Sequence, residues 1–236
     1  SIIDYSKAIE LNPDSWEAYH NRGLSKQELK DFEGSIIDYS KAIELNPKPW
    51  FRSYENIAFS KEELGNILEA LEYYSKVVEI NPSYEYGFYD IARLKEKINE
   101  YESALLNYSE AIKIDGNNAG FYSSRAGVRE KLKDFEGAIQ DYSEAIKIDD
   151  NNKFYYYSRA FVRERLKDFE GAIQDYSEAI KIDENDSDFY YSRAGLRVKL
   201  KDFKGAIEDY SKVIDLDPEN LEALFDRGHA KFKLNE

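Results

Sequence analysis

The chain has 236 residues, 42% hydrophobic and 34% charged, a balance that fills a core and solvates a surface and so excludes a disordered chain. Its 33 Lys and Arg stand against 47 Asp and Glu, a net charge of -14, which opposes a phosphate backbone, argues against nucleic acid as a partner and favours a basic or neutral-aromatic polypeptide. Cysteine is absent, which excludes disulfides, thiolate catalysis and Cys-ligated zinc.

Residues 1–13 read SIIDYSKAIELNP and lack the basic start and apolar centre of a secretion signal. No apolar run approaches the roughly 18 residues of a membrane span, so no membrane association is expected; the compartment stays open, with a cytoplasmic chain favoured over a secreted one. Methionine is missing even at position 1, which points to a processed product or an excised fragment. The opening segment returns letter for letter at 35–47, LKDFEGAIQDYSEAIKID fills both 132–149 and 166–183, and LKDFKGAIEDYSKVIDLD at 200–217 is a close third copy. The period is 34, with one extra residue near Trp50. Fixed periods of this size mark stacked units, each too small to bury its own apolar face.

In chain order the expectation is one solenoid over 1–236. Residues 1–15 form a second helix without its first. Six complete units follow at 16–49, 50–84, 85–118, 119–152, 153–186 and 187–220, and 221–236 form a first helix without its second. Within one unit, Tyr122, Ala126, Arg129 and Leu132 make one helical stripe and Ala138, Tyr142, Ala145 and Ile146 another. Lys133-Asp134 supplies a short turn in which Asp134 caps the second helix, and the polar run after Ile148 ends it. Helices approach closely where side chains are small: Gly23, Ala58, Ala92, Ala126, Ala160, Ala194 and Gly228 on first helices, and Ser35, Ala70, Ala104, Ala138, Ala172 and Ala206 on second helices. Tyr39, Tyr74, Tyr108, Tyr142, Tyr176 and Tyr210 fill the gaps between hairpins.

With these positions in register the chain resembles the tetratricopeptide repeat family, in which a small residue in the first helix is coupled with A-x3-aromatic in the second and a closing Pro, here Pro47, Pro82 and Pro218. The resemblance implies an all-α, right-handed superhelical solenoid of antiparallel helix pairs whose first helices line a concave groove that takes peptides. Two departures stand out. The early aromatic of the first helix is mostly Tyr (Tyr19, Tyr54, Tyr122, Tyr156, Tyr190), and Arg often replaces the Leu before the small residue. The family's chaperone-tail clamp uses Lys, Asn and Arg at groove positions that are largely Tyr, Ser, Phe and Glu here, so that role is not expected.

The internal copies act as a mutation series. Units with Arg before the small residue carry Asp sixteen positions later: Arg22 with Asp38, Arg125 with Asp141, Arg159 with Asp175, and Arg193 with Asp209. Units with Ile57 and Ile91 carry Tyr73 and Asn107 instead. This predicts an ion pair within each hairpin that fixes how its two helices are rotated.

Catalysis is not expected. The two histidines, His20 and His229, stand far apart in the sequence, and no phosphate-binding loop, metalloprotease motif or nucleophile elbow occurs. The acidic turns at 115–120 and 183–188 have Ala126 and Ala194 where a calcium loop needs a bidentate Glu, so neither metal nor cofactor is expected.

The resemblance places partner binding on the first helices, on the face away from the core stripe. The candidates are Tyr86, Tyr89 and Arg93; Phe154, Tyr157 and Phe161; Tyr191; and Phe225, His229 and Phe232. Aromatics of this kind anchor interfaces, and neighbouring acids such as Glu55, Glu62, Glu96, Glu130, Glu164 and Asp188 favour a partner with Lys or Arg. The function read from the sequence is a non-catalytic scaffold binding a peptide or protein segment in the groove. The alternative is head-to-tail self-association, in which 221–236 of one molecule and 1–13 of the next rebuild a repeat.

Overall fold

The computed structural model describes residues 1–46, 48 and 50–235; Pro47 of the expected closing prolines lies outside them. The described residues form fourteen α-helices and no strand: α1 Ile2–Leu11, α2 Trp16–Glu28, α3 Phe32–Leu45, α4 Phe51–Glu63, α5 Ile67–Ile80, α6 Glu85–Lys97, α7 Tyr101–Ile114, α8 Ala119–Lys131, α9 Phe135–Ile148, α10 Lys153–Arg165, α11 Phe169–Ile182, α12 Ser187–Lys199, α13 Phe203–Leu216 and α14 Leu221–Leu234. They fall into two compact units, Ser1–Gly116 and Asn117–Glu236.

The helices start and stop where local chemistry dictates. Asp31, Asp134, Asp168 and Asp202 cap second helices by accepting the backbone N–H of Gly34, Gly137, Gly171 and Gly205 at 3.0 to 3.1 Å. A Cβ at Gly34 would collide with the Asp31 carboxylate, so glycine is what lets the cap close. First helices are capped by Ser15, Asn118, Asn152, Asp186 and Asn220. The turn inside each hairpin reverses through one left-handed residue: Lys30, Asn99, Lys133, Lys167 and Lys201 at φ of 62 to 63°, and Gly65 at 80°. The following N–H reaches back to close the end of the first helix, as Asp134 does to Arg129 O at 2.9 Å. A link this short forces the helices to run antiparallel.

In the first unit the hairpins α2/α3, α4/α5 and α6/α7 stack with α3 against α4 and α5 against α6, and α1 packs on α2. In the second, α8/α9, α10/α11 and α12/α13 stack through α9–α10 and α11–α12, and α14 packs on α13. The seams are made by the small residues: Ala58, Ala70, Ala92, Ala104, Ala126, Ala138, Ala160, Ala172, Ala194 and Ala206 are fully buried. The six tyrosines of the second helices are buried as well. Tyr39, Tyr108 and Tyr142 donate their hydroxyls to Gln27, Glu96 and Glu130, which makes these large side chains affordable in the interior.

Candidate functional site

Two side-chain systems set the outer face of the first helices. One is a set of ion pairs inside the hairpins. Arg22, Arg125, Arg159 and Arg193 each donate through Nε and Nη2 to the two carboxylate oxygens of Asp38, Asp141, Asp175 and Asp209, at 2.7 to 2.9 Å. The aspartates are 1 to 4% exposed in their side chains. A buried carboxylate is stable only when its lone pairs are satisfied, and a second cation one turn after each Arg completes the set. Lys26, Arg129, Arg163 and Arg197 reach the same aspartates at 2.8 to 3.1 Å. Arg22, Arg159 and Arg193 also donate to Ser6, Ser143 and Ser177 on the preceding second helix. Arg22, Arg159 and Arg193 thus each join three helices. Where Arg is replaced by Ile57 and Ile91, the sixteenth position carries Tyr73, packed 6.4 Å from the Tyr54 ring, and Asn107, which donates to Ser103 O.

The other system is the aromatic face. In the second unit Tyr157, Phe161 and Tyr191 line one cavity of about 260 Å³ between α10 and α12, together with Glu164, Tyr176, Ser192, Gly195, Leu196 and Lys199. The Tyr157 ring stands 5.7 Å from Tyr176 and 5.4 Å from Phe189. Tyr191 meets Tyr210 edge-to-face at 5.6 Å and donates its hydroxyl to Asp226 at 2.9 Å; burial, with the Asp226 carboxylate adding to it, pushes its pKa up to about 12. Phe161 is 40% exposed, with the Arg165 guanidinium 4.9 Å from its ring.

Phe154, grouped with Tyr157 and Phe161 by spacing, instead borders a separate cavity with Asp149, Lys153 and Asp183. His229 lines another with Lys199, Phe203 and Lys233, and Phe225 and Phe232 are exposed on α14. In the first unit Tyr86 is exposed and Tyr89 packs 5.6 Å from Tyr108.

Arg93 is paired within the chain. Its Nη1 and Nη2 donate to the two oxygens of Glu62 at 2.5 and 2.6 Å, and Nη2 also reaches Asp90 at 3.2 Å. Lys97 adds a further bond to Glu62. Burial alone would raise the Glu62 carboxyl, but Arg93 and Lys97 outweigh it and hold it below its ordinary range. Burial raises Asp90 to about 6 against the opposing pull of Arg93. Other acids expected to meet a basic partner are also engaged within the chain: Glu55 with Arg52 and Tyr84, Glu130 with Tyr142, and Glu164 with Lys199.

Sequence models of the tetratricopeptide repeat match residues 16–49, 51–84 and 89–153, and a TPR repeat model matches 165–200 and 196–235. The chain belongs to the tetratricopeptide repeat family. Among solved structures this TPR chain is similar to the C-terminal part of a TPR repeat-containing protein from Cytophaga hutchinsonii, at 16% identity and a TM-score of 0.86 over 94% of this chain and 92% of that one. It is also similar to YrrB, described as a TPR protein with an unusual peptide-binding site, at 19% identity and a TM-score of 0.68 over 80% and 97%. The pilF protein of Pseudomonas aeruginosa gives 16% and 0.67 over 91% and 97%. At such identities the likeness is one of fold. No curated protein matches the chain.

Within the TPR register, the position after the small residue of each first helix reads Leu24, Phe59, Arg93, Gly127, Phe161, Gly195 and His229. The side chain there decides whether the space between consecutive first helices is filled or open. The aromatic spacing points to Tyr157, Phe161 and Tyr191; Gly195 beside them is legible as a glycine in this series, whereas the Glu164–Lys199 pair at the rim of the cavity has no counterpart signal in it.

Proposed function

We propose that the chain is a non-catalytic protein-interaction scaffold that holds a polypeptide segment against its first helices, with Tyr157, Phe161 and Tyr191 as the principal contact surface. The observation that carries this reading is the cavity between α10 and α12, where three aromatic side chains and an open glycine position converge. Aromatic anchors in such clefts dominate the energy of interfaces. The net charge of -14 steers in a segment that carries Lys or Arg. The peptide-binding site described for YrrB, on the same fold, adds support. In the second unit Phe154, Phe225, His229 and Phe232 extend the surface available to a longer partner, and Tyr86 and Tyr89 offer an aromatic surface of their own in the first unit. The non-catalytic reading is supported by the state of His20: it meets Ser53 at 3.0 Å, but the two are 4% and 2% exposed, closed to any substrate. No described helix is long and apolar enough to cross a membrane.

The test is selection of peptides from a random library on the full chain, followed by binding to a Tyr157→Ala/Phe161→Ala variant. Selected peptides should bind the variant more than about tenfold more weakly, as expected when an anchor site is lost. Peptides that bind both proteins equally, or a failure to select any, would overturn the reading.

A second reading, head-to-tail self-association, draws on the exposed apolar side chains Ile3 and Leu11 of α1 and Leu221, Phe225 and Phe232 of α14. Under it, Phe225→Ser/Phe232→Ser lowers the mass seen by light scattering, and a concentration-independent monomer mass for the parent protein refutes it.

A further inference from the structure

The first unit supplies an internal reference for the cavity between α10 and α12. Between α4 and α6 the corresponding space is filled by Arg93, bound through both terminal nitrogens to Glu62, with Lys97 as the second cation on that carboxylate. Three periods later the carboxylate and the lysine recur as Glu164 and Lys199, joined at 2.6 Å through Oε1. The arginine does not recur. Gly195 takes its place, and a Cβ there would meet nothing within 4 Å. A glycine inside a helix costs about 1 kcal/mol relative to alanine, and no neighbour in the fold requires it.

Other substitutions around the space change its chemistry in one direction. Ser192 stands where Asp90 stands, and Tyr157 where Glu55 stands. The site thus keeps one carboxylate and gains a ring face. The other first-helix interfaces inside the two units lack the combination: Phe59 accompanies Gln27, Phe161 accompanies Glu130, and His229 accompanies Val198.

We propose that the cavity beside Gly195 receives an arginine side chain of the bound segment, which occupies the place that Arg93 fills from within the chain between α4 and α6, with Glu164 as its carboxylate partner and Tyr157, Phe161 and Tyr191 as its walls. The source of the side chain rests on the scaffold reading above. Guanidinium fits better than ammonium on three grounds. It is planar and weakly hydrated, it bonds a carboxylate that already holds one cation, and it stacks on ring faces, as Arg165 already does over Phe161. The cavity, at about 260 Å³, is smaller than the roughly 300–1,000 Å³ typical of small-molecule sites, which suits one side chain.

The experiment is an NMR titration of the isotope-labelled full chain with N-acetyl-Gly-Arg-Gly-amide and with the same peptide carrying citrulline, its neutral isostere. The arginine peptide should give saturable shifts centred on the Ser192 and Gly195 amides. The citrulline peptide, and the arginine peptide against Glu164→Gln, should bind at least about tenfold more weakly, the loss expected for a charge-assisted bond. Gly195→Arg should abolish the shifts and melt at a higher temperature than Gly195→Gln, because its own guanidinium then occupies the site. Equal binding of the two peptides, or shifts that persist in Gly195→Arg, would overturn the proposal.

The scaffold reading fails separately. If library-selected peptides lose binding to Tyr157→Ala but ignore Glu164→Gln and citrulline replacement, the arginine assignment falls and the scaffold stands. If they ignore Tyr157→Ala while the arginine peptide still docks at Gly195, the reverse holds.

Discussion

Arg159 and Asp175 lie sixteen residues apart on the two helices of one hairpin and meet through two parallel hydrogen bonds of 2.9 and 2.7 Å. The bond is not symmetric in its consequences, because Asp175 also holds Arg163 at 3.0 Å. Removing the aspartate strands two cations, whereas removing Arg159 leaves the carboxylate one partner. Asp175→Leu should cost about 3 to 5 kcal/mol, the range for breaking a buried pair, and Arg159→Leu clearly less. The double variant measured by urea unfolding should show a coupling of about 0.5 to 3 kcal/mol; zero coupling would mean that the contact does not fix the hairpin.

The turns offer stability that natural selection has left unused. Lys133, Lys167 and Lys201 sit at φ of 62 to 63°, where an L-residue pays about 1–2 kcal/mol, while glycine pays roughly 0.5–1 kcal/mol in added unfolded-state entropy. Each Lys→Gly substitution should therefore gain up to about 1 kcal/mol and raise the melting temperature by a few degrees. Gly65, already at 80° with open space around it, should lose stability on conversion to alanine. A falling melting temperature in Lys133→Gly would show that its side chain contributes more than its backbone costs.

Two buried groups in the first unit give opposite responses to acid. Burial lowers His20 to about 4 from 6.5, so its neutral form contributes stability that is complete above pH 6.5 and is lost as pH falls toward 4. Burial raises Asp90 from 3.8 to about 6 despite the attraction of Arg93, so its contribution is complete below pH 3.8 and is lost as pH rises through 6. His20→Phe keeps the stack on Trp50 and Tyr39 and removes the titration; its melting temperature should fall less than that of the wild type between pH 6.5 and 4. Asp90→Asn should gain stability relative to wild type at pH 7 and lose that advantage below pH 4. Profiles parallel to the wild type in either variant would remove the corresponding assignment.

Repetition made the helix pairs legible from residues alone, because six copies in register separate the positions that must stay small or aromatic from those that drift. The sixteen-residue spacing of Arg and Asp was visible for the same reason: the two positions vary together between copies. Contacts between repeats were not visible. Glu62 meets Arg93 and Lys97, and Glu164 meets Lys199, at separations of 31 to 35 residues, and a period of 34 gives no hint of which offset brings two helix faces together. The second cation on each aspartate, such as Arg163 beside Arg159, was hidden because a cation one turn along a helix is ordinarily a solvated surface residue. Arg93 shows the same limit from the other side: its spacing places it on the candidate binding face, and nothing in the sequence signals that its guanidinium also pairs with Glu62.

Gly23 and Gly195, both inside first helices, should respond oppositely to the same substitution. Alanine gains about 1 kcal/mol over glycine in a helix interior, so the sign depends on what the new methyl meets. At Gly23 a Cβ would lie 2.8 Å from Tyr39 Cε1, against a ring that is fully buried and stacked on His20 at 5.3 Å. The overpacking cost of about 1–3 kcal/mol exceeds the propensity gain, and Gly23→Ala should destabilise. At Gly195 nothing lies within 4 Å, the propensity term stands unopposed, and Gly195→Ala should stabilise by about 1 kcal/mol while narrowing the cavity. Urea unfolding of the two variants checks both signs. A loss of stability in Gly195→Ala would mean that the glycine serves the fold itself, and the space beside it would then no longer point to a ligand.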